Sequence, residues 1–328
     1  MIRRLLLALC LFSQPALPQA QPASIDSPTE YNDYIVMEQS KLMGKVIEYI
    51  VQTIHNDNFR EVESKRLEVI GQVELAIQRL EELPPFRGND TMRREALEVF
   101  MLYRDAYVND YSQINMLKQS REESFRAMSA YLAAQEAAEE KLRQNAQRLS
   151  QAQQAFAEAH RIRLTSSPPD STMMAISAVN HYSRAIFLEF FRVSKANGLC
   201  MDALNAQDSQ RLLAARERLL EASNLSWEAL RAAEPFKGSD NALRAKTLAY
   251  VAYHRLLAQK ELPELVDILA KQEREDADVD RYNAIIQTYN ADIQKLVADF
   301  NQAHDDLFRN HIPQAPHADP ATKRSPRG

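Results

Sequence analysis

A chain of 328 residues, 45% apolar and 26% charged, can bury a sizeable core and is too evenly mixed for a disordered or membrane-embedded protein. The formal net charge of −5 argues against a nucleic-acid partner, which needs a basic stripe to displace phosphate counterions. Only 6 glycines, against abundant Ala, Leu, Glu, Gln and Arg, favour long helices over sheet.

Arg3 and Arg4 precede the apolar run Leu5 to Phe12, and small residues close the stretch between Ala16 and Ala20. This is the pattern of an export signal, so residues 1–20 are predicted to be removed after Ala20. The apolar run is far shorter than the roughly 20 residues that span a bilayer. No second run of that kind follows, so the mature chain is predicted not to cross a membrane. Cys10 lies within the signal. A lipid anchor there is the alternative, opposed by Leu9, where a lipoprotein signal carries a small residue. Cys200 is then the single remaining thiol, read as a small buried hydrophobe without a disulfide partner.

Residues 21–27 are rich in Pro, Ala and Ser and are predicted to be a disordered lead-in. A first helix is expected from Pro28 to about Ile54, with Ile35, Leu42, Val46, Tyr49 and Ile50 on one face. His55-Asn56-Asp57-Asn58 breaks it. A second helix follows from about Phe59 to Leu83, with Leu67, Ile70, Val73, Ile77 and Leu80 predicted inward. A third starts at Asp90 and carries Phe100, Met101, Tyr107, Tyr111 and Ile114. A fourth spans about Arg121 to Ile162.

Residues 165–171, with Pro168 and Pro169 among hydroxyl side chains, read as a linker. Four further helices are expected at 172–204, 209–233, 240–270 and 276–310. Pro263 should kink or restart the third of these. From residue 312 to 328 the tail is Pro-rich and basic and is predicted to be disordered.

The two halves share a turn. Pro85-Phe86-Arg87-Gly88-Asn89-Asp90 recurs 150 positions later as Pro235-Phe236-Lys237-Gly238-Ser239-Asp240. Asn32 and Tyr34 match Asn180 and Tyr182, and Arg94 and Tyr103 match Arg244 and Tyr253. Phe156 to His160 matches Phe300 to His304 at a spacing of 144, which implies a shorter connection in the second half. The expected architecture is therefore all-α: two tandem up-and-down four-helix modules, 28–164 and 172–311, produced by internal duplication.

The turns are the candidate recognition elements. Pro ends a helix, Gly88 and Gly238 supply positive φ, and Asp90 and Asp240 are expected to cap the helix that follows. Phe86 and Phe236 would plug the bundle ends. Arg87 and Lys237 would stand exposed beside a helix N-terminus, where they could hold an anion. A metal site in a bundle needs Glu-x-x-His pairs, and the sequence has none, so His160 and His304 are read as helix-end residues. Neither zinc nor haem spacings nor a nucleophile elbow occurs, and no cofactor is expected. Tyr103, Tyr107 and Tyr111 share one face with the pattern of Tyr250 and Tyr253. They are read chiefly as core, with a pocket lined by Tyr103, Tyr107 and Tyr253 as the ligand-binding alternative.

Tyr31 to Gln39, Leu83 to Asp90 and Arg94 to Leu97 with Tyr103 and Tyr111 together resemble an uncharacterised bacterial surface-protein family of the leptospiral type. That resemblance implies an exported helical protein and no established activity. The functional expectation is a non-catalytic binding or scaffold protein of the envelope or periplasm, with an envelope protein as possible partner. The alternative is a small-ligand sensor module with a pocket between helices.

Overall fold

The computed structural model describes residues 25–55, 58–164 and 169–312, and every regular element among them is helical. The first half holds α1 (Pro28–His55), α2 (Phe59–Glu82), α3 (Thr91–Asp105), a π turn (Ala106–Asp110), α4 (Tyr111–Ser120) and α5 (Phe125–His160). The second holds α6 (Pro169–Asn205), α7 (Ser209–Ala232), α8 (Ala242–Gln259), α9 (Glu261–Ala270) and α10 (Asp276–His311). Expectations for residues 1–24, 56–57, 165–168 and 313–328, the signal and Cys10 among them, lie outside the described residues.

Local chemistry sets the helix ends. The side chains of Asn58 and Asp208 accept the backbone N–H groups of Arg60 and Arg211 and start α2 and α7. Ser124 accepts from Ala127 and starts α5, so that helix begins four residues later than the sequence pattern suggested. Glu275 and Asp278 form a reciprocal capping box at the start of α10. At the end of α5, Arg161 takes a left-handed conformation with φ of 55°.

Several boundaries differ from expectation. α6 begins at Pro169, inside the expected linker, because proline fits the first turn of a helix and needs no N–H there. Ile25 packs against the first core and Ile312 against the second, so order extends beyond the limits drawn for the lead-in and the tail. The third helix of the first half is interrupted by the π turn, in which Tyr111 N–H reaches back to Ala106 O. Its counterpart breaks at Lys260, and Pro263 sits in the first turn of the restarted α9, as proline there requires. Leu67, read as inward, is 54% exposed, and Val69 takes the buried place; on the third helix Phe100 is buried and Met101 is 39% exposed.

Two apolar clusters form the interior. One gathers Ile35, Val73, Leu80, Phe86, Phe100 and Tyr107 from the first half. The other gathers Ile186, Phe190, Leu219, Tyr250, Leu265 and Phe300 from the second. α5 contributes to both: Leu149 and Phe156 belong to the first, Met128, Tyr131 and Leu132 to the second. Its early turns lie along α6, where Arg184 Nη1 meets Glu139 Oε2 at 2.8 Å and Arg192 sits 3.9 Å from the Phe125 ring.

Corresponding contacts recur at a shift of 150 or 151 positions. α2 and α7 have 24 residues each and start 150 positions apart; α5 and α10 have 36 residues each and start 151 apart. Tyr31 meets Phe86 at 5.2 Å between ring centroids, and Tyr182 meets Phe236 at 5.2 Å. Glu38 pairs with Lys41, and Glu189 with Arg192. This register replaces the one drawn from sequence. His311, not His304, stands where His160 does, and buried His254, not half-buried Tyr253, corresponds to Tyr103. The connections into the fourth helices run over 121–124 and 271–275, so the change of spacing to 144 marks no shortened connection.

Candidate functional site

Each turn is anchored by its phenylalanine. Phe86 is 2% exposed and packs edge-on against Phe156 and His160 at centroid distances of 5.5 and 4.9 Å. Phe236 is 6% exposed and meets His311 at 4.8 Å. Burying such a ring stabilises by about 1.5–3 kcal/mol, which holds the tip against the bundle end. Above the ring the backbone turns left-handed twice, at Arg87 and Gly88 (φ 50° and 81°) and at Lys237 and Gly238 (φ 51° and 75°). The first turn places two residues between its bridged partners Phe86 and Asn89. The second places three between Phe236 and Asp240.

That extra residue, Ser239, moves the cap. Asn89 accepts the Thr91 N–H at 2.9 Å, and Asp240 accepts the Ala242 N–H at 3.1 Å. Asp90 therefore does not cap α3. It pairs instead with Arg93, whose guanidinium lies 2.5 Å from Oδ1 and 3.0 Å from Oδ2. The same guanidinium donates to the carbonyls of Leu80 and Glu81, a task that Arg244 performs for Ala233. Arg93 holds the Asp90 carboxyl below the usual range. The Ala242 N–H, and after it His311 at 2.8 Å, hold the Asp240 carboxyl down as well. Both helix starts thus already carry a polar oxygen from the protein, which pre-empts an external anion there. Arg87 and Lys237 remain exposed, each over its own phenylalanine ring at 5.2 and 5.5 Å.

The tyrosine face leads to a second place. Tyr107 and Tyr111 stack at 4.6 Å, with Tyr49 edge-on to both. The Tyr49 hydroxyl donates to Asn115 Oδ1 at 2.9 Å, and Asn115 Nδ2 donates to Glu63 at 3.2 Å. Arg66 pairs with Glu63 and donates to the Tyr107 carbonyl in the π turn. The Arg66 hydrogen bond holds the Glu63 carboxyl low, while burial pushes the Tyr107 hydroxyl up. A cleft of about 280 Å³ opens beside Asn115, walled by Phe59, Val62, Lys118, Arg121 and Glu122.

The pocket expected from Tyr103, Tyr107 and Tyr253 does not form. The first two are buried in one cluster, and Tyr253 packs at the edge of the other. His160 and His304 are separated too, the latter lying against Phe308 at 4.8 Å. Among the described residues no group of three or more His, Cys, Asp or Glu side chains is placed to hold a metal ion. Burial pushes the Cys200 thiol up to about 12, which keeps it protonated. No helix among the described residues is long and apolar enough to cross a membrane.

No family model, curated protein or solved structure matches this chain.

Proposed function

We propose that the chain is an exported, non-catalytic scaffold or binding protein of the bacterial envelope or periplasm. In this reading it is built from two tandem up-and-down four-helix units of common origin. The observation that carries it is the turn made twice, each copy with a buried phenylalanine below and an exposed cation above. Helix pairs of equal length and a near-constant register support the duplicated build. Export rests on the first 20 residues, and the resemblance to bacterial surface proteins agrees with it.

The test is chemical crosslinking of the purified protein to cell-envelope fractions, comparing wild type with Arg87→Ala/Lys237→Ala. Loss of a specific crosslinked product, with circular dichroism unchanged, supports recognition through the turns. Identical products from both proteins overturn it. An unprocessed chain recovered from the cytosol would overturn export. A second reading, a small-ligand sensor, is favoured by the cleft beside Asn115, where a polar network lies under an open wall.

A further inference from the structure

The first half carries a polar network that the second half replaces with apolar residues. In corresponding positions Tyr49 gives way to Cys200 and Glu63 to Leu213. α9 presents Leu262, Leu265, Val266, Ile268 and Leu269 where α4 carries Asn115, Lys118 and Gln119. The second core closes without these polar groups. Keeping them inside costs free energy unless each finds a partner, so the fold alone does not call for the network.

We propose that the cleft bordered by this network binds a small monocarboxylate with an apolar body. This rests on the sensor reading above and names its ligand class. Arg121 lines the cleft with its side chain only 14% exposed, and its Nε is buried without a hydrogen-bond partner. Its Nη1 is held by the Lys118 carbonyl at 2.6 Å, which fixes the guanidinium plane. Its Nη2 has a long 3.5 Å contact with Glu122, a carboxylate 62% exposed and free to swing into solvent. A guanidinium whose Nη2 is so loosely engaged is suited to a carboxylate. Phe59 and Val62 line the cleft with apolar groups. Asn115, oriented by Tyr49 and Glu63, has one amide hydrogen left to donate. The volume of about 280 Å³ suits a ligand of a few carbons or one ring.

The experiment is isothermal titration of the full chain with hexanoate, benzoate and phenylacetate, with phenylacetamide as the neutral control. At least one acid is expected to bind saturably at one site with a dissociation constant of about 1 mM or tighter. Arg121→Gln should weaken it about tenfold or more, as expected for loss of a charged hydrogen bond, and Arg218→Gln should leave it unchanged. The amide should bind at least about tenfold more weakly than phenylacetate for the same reason. Asn115→Val, which takes the residue type of Val266, is expected to keep the fold and lose binding, and it serves if Arg121→Gln does not fold. If neither acids nor amide bind, both this assignment and the sensor reading fall. If the amide binds as well as phenylacetate, or either cleft variant binds like wild type, the carboxylate assignment alone falls.

Discussion

Arg216 donates its Nε–H to the carbonyl oxygen of Ala258 at 2.7 Å, and Arg66 makes the matching contact with Tyr107. Both acceptors lie where a long helix loses its regular bonding, at the break before α9 and in the π turn. An interrupted helix leaves carbonyls without their usual donors, and a buried carbonyl left alone is costly. Each arginine reaches across from the second helix of its half to supply the missing donor.

Removing that donor should therefore cost more than removing a surface charge. Arg216→Ala is expected to lower stability by about 1–3 kcal/mol, read from the urea midpoint. Arg218→Ala, exposed on the same helix, should stay within about 0.5 kcal/mol of wild type. Equal effects from the two substitutions would mean that the Ala258 carbonyl finds water instead.

These contacts also mark how far the sequence could be read. Asn58, Asp208 and the paired Pro-Phe turns are local signals, and they place the ends of α2 and α7 well. The π turn is not local. Tyr103, Tyr107 and Tyr111 are spaced by four as in an unbroken helix, and the donor that accommodates the irregularity comes from Arg66, 41 positions away. The fourth-helix register failed for a geometric reason. Shifts of 144 and 151 differ by seven residues, close to two helical turns at 3.6 residues each, so both keep the same face inward. Only the ring contact with Phe236 selects His311. The network under the cleft joins Tyr49 to Asn115 across 66 positions, with no periodic trace of the pairing.

Glycines in the turns and in the helices should respond in opposite directions. An added Cβ meets nothing within 4 Å at Gly88, Gly238 or Gly71, so crowding does not decide the sign. Gly88 and Gly238 hold φ of 81° and 75°, and alanine there should destabilise by about 1 kcal/mol. Gly71 lies within α2, and Gly71→Ala should stabilise by about 0.5–1 kcal/mol. Thermal unfolding of the three variants checks both signs. A stabilised Gly88→Ala would contradict the left-handed turn.

Asp240 makes stability depend on acidity. The Ala242 N–H and His311 lower its carboxyl in the folded state relative to an ordinary aspartate near 3.9. A lowered folded value means the contribution is present above about pH 4 and is lost as the pH falls through the folded value. Asp240→Asn still caps α8 but cannot ionise, so its acid limb should be shallower than that of wild type. Urea midpoints measured from pH 6 down to pH 2 test this. Parallel curves would show that the carboxylate is not engaged in solution.

The contact between the halves offers the sharpest contrast of burial. Arg184 is 5% exposed at its side chain and Glu139 30%, whereas the nearby Glu140–Arg143 pair is 45% and 39% exposed. Breaking a buried pair strands the remaining charge, which costs about 3–5 kcal/mol when both groups are fully enclosed. The partial exposure of Glu139 lets water reach the guanidinium, so Glu139→Ala is expected to cost about 2–3 kcal/mol, less than that limit. Glu140→Ala should move the urea midpoint far less than Glu139→Ala, because water screens the exposed pair. Replacing both partners, Glu139→Met with Arg184→Met, should recover most of the loss, because neither charge of the pair is then left without its partner between α5 and α6. Equilibrium urea unfolding of the single and double variants separates the cases. A double variant no more stable than Glu139→Ala would show that the pair itself, and not the removal of a stranded charge, holds α5 against α6.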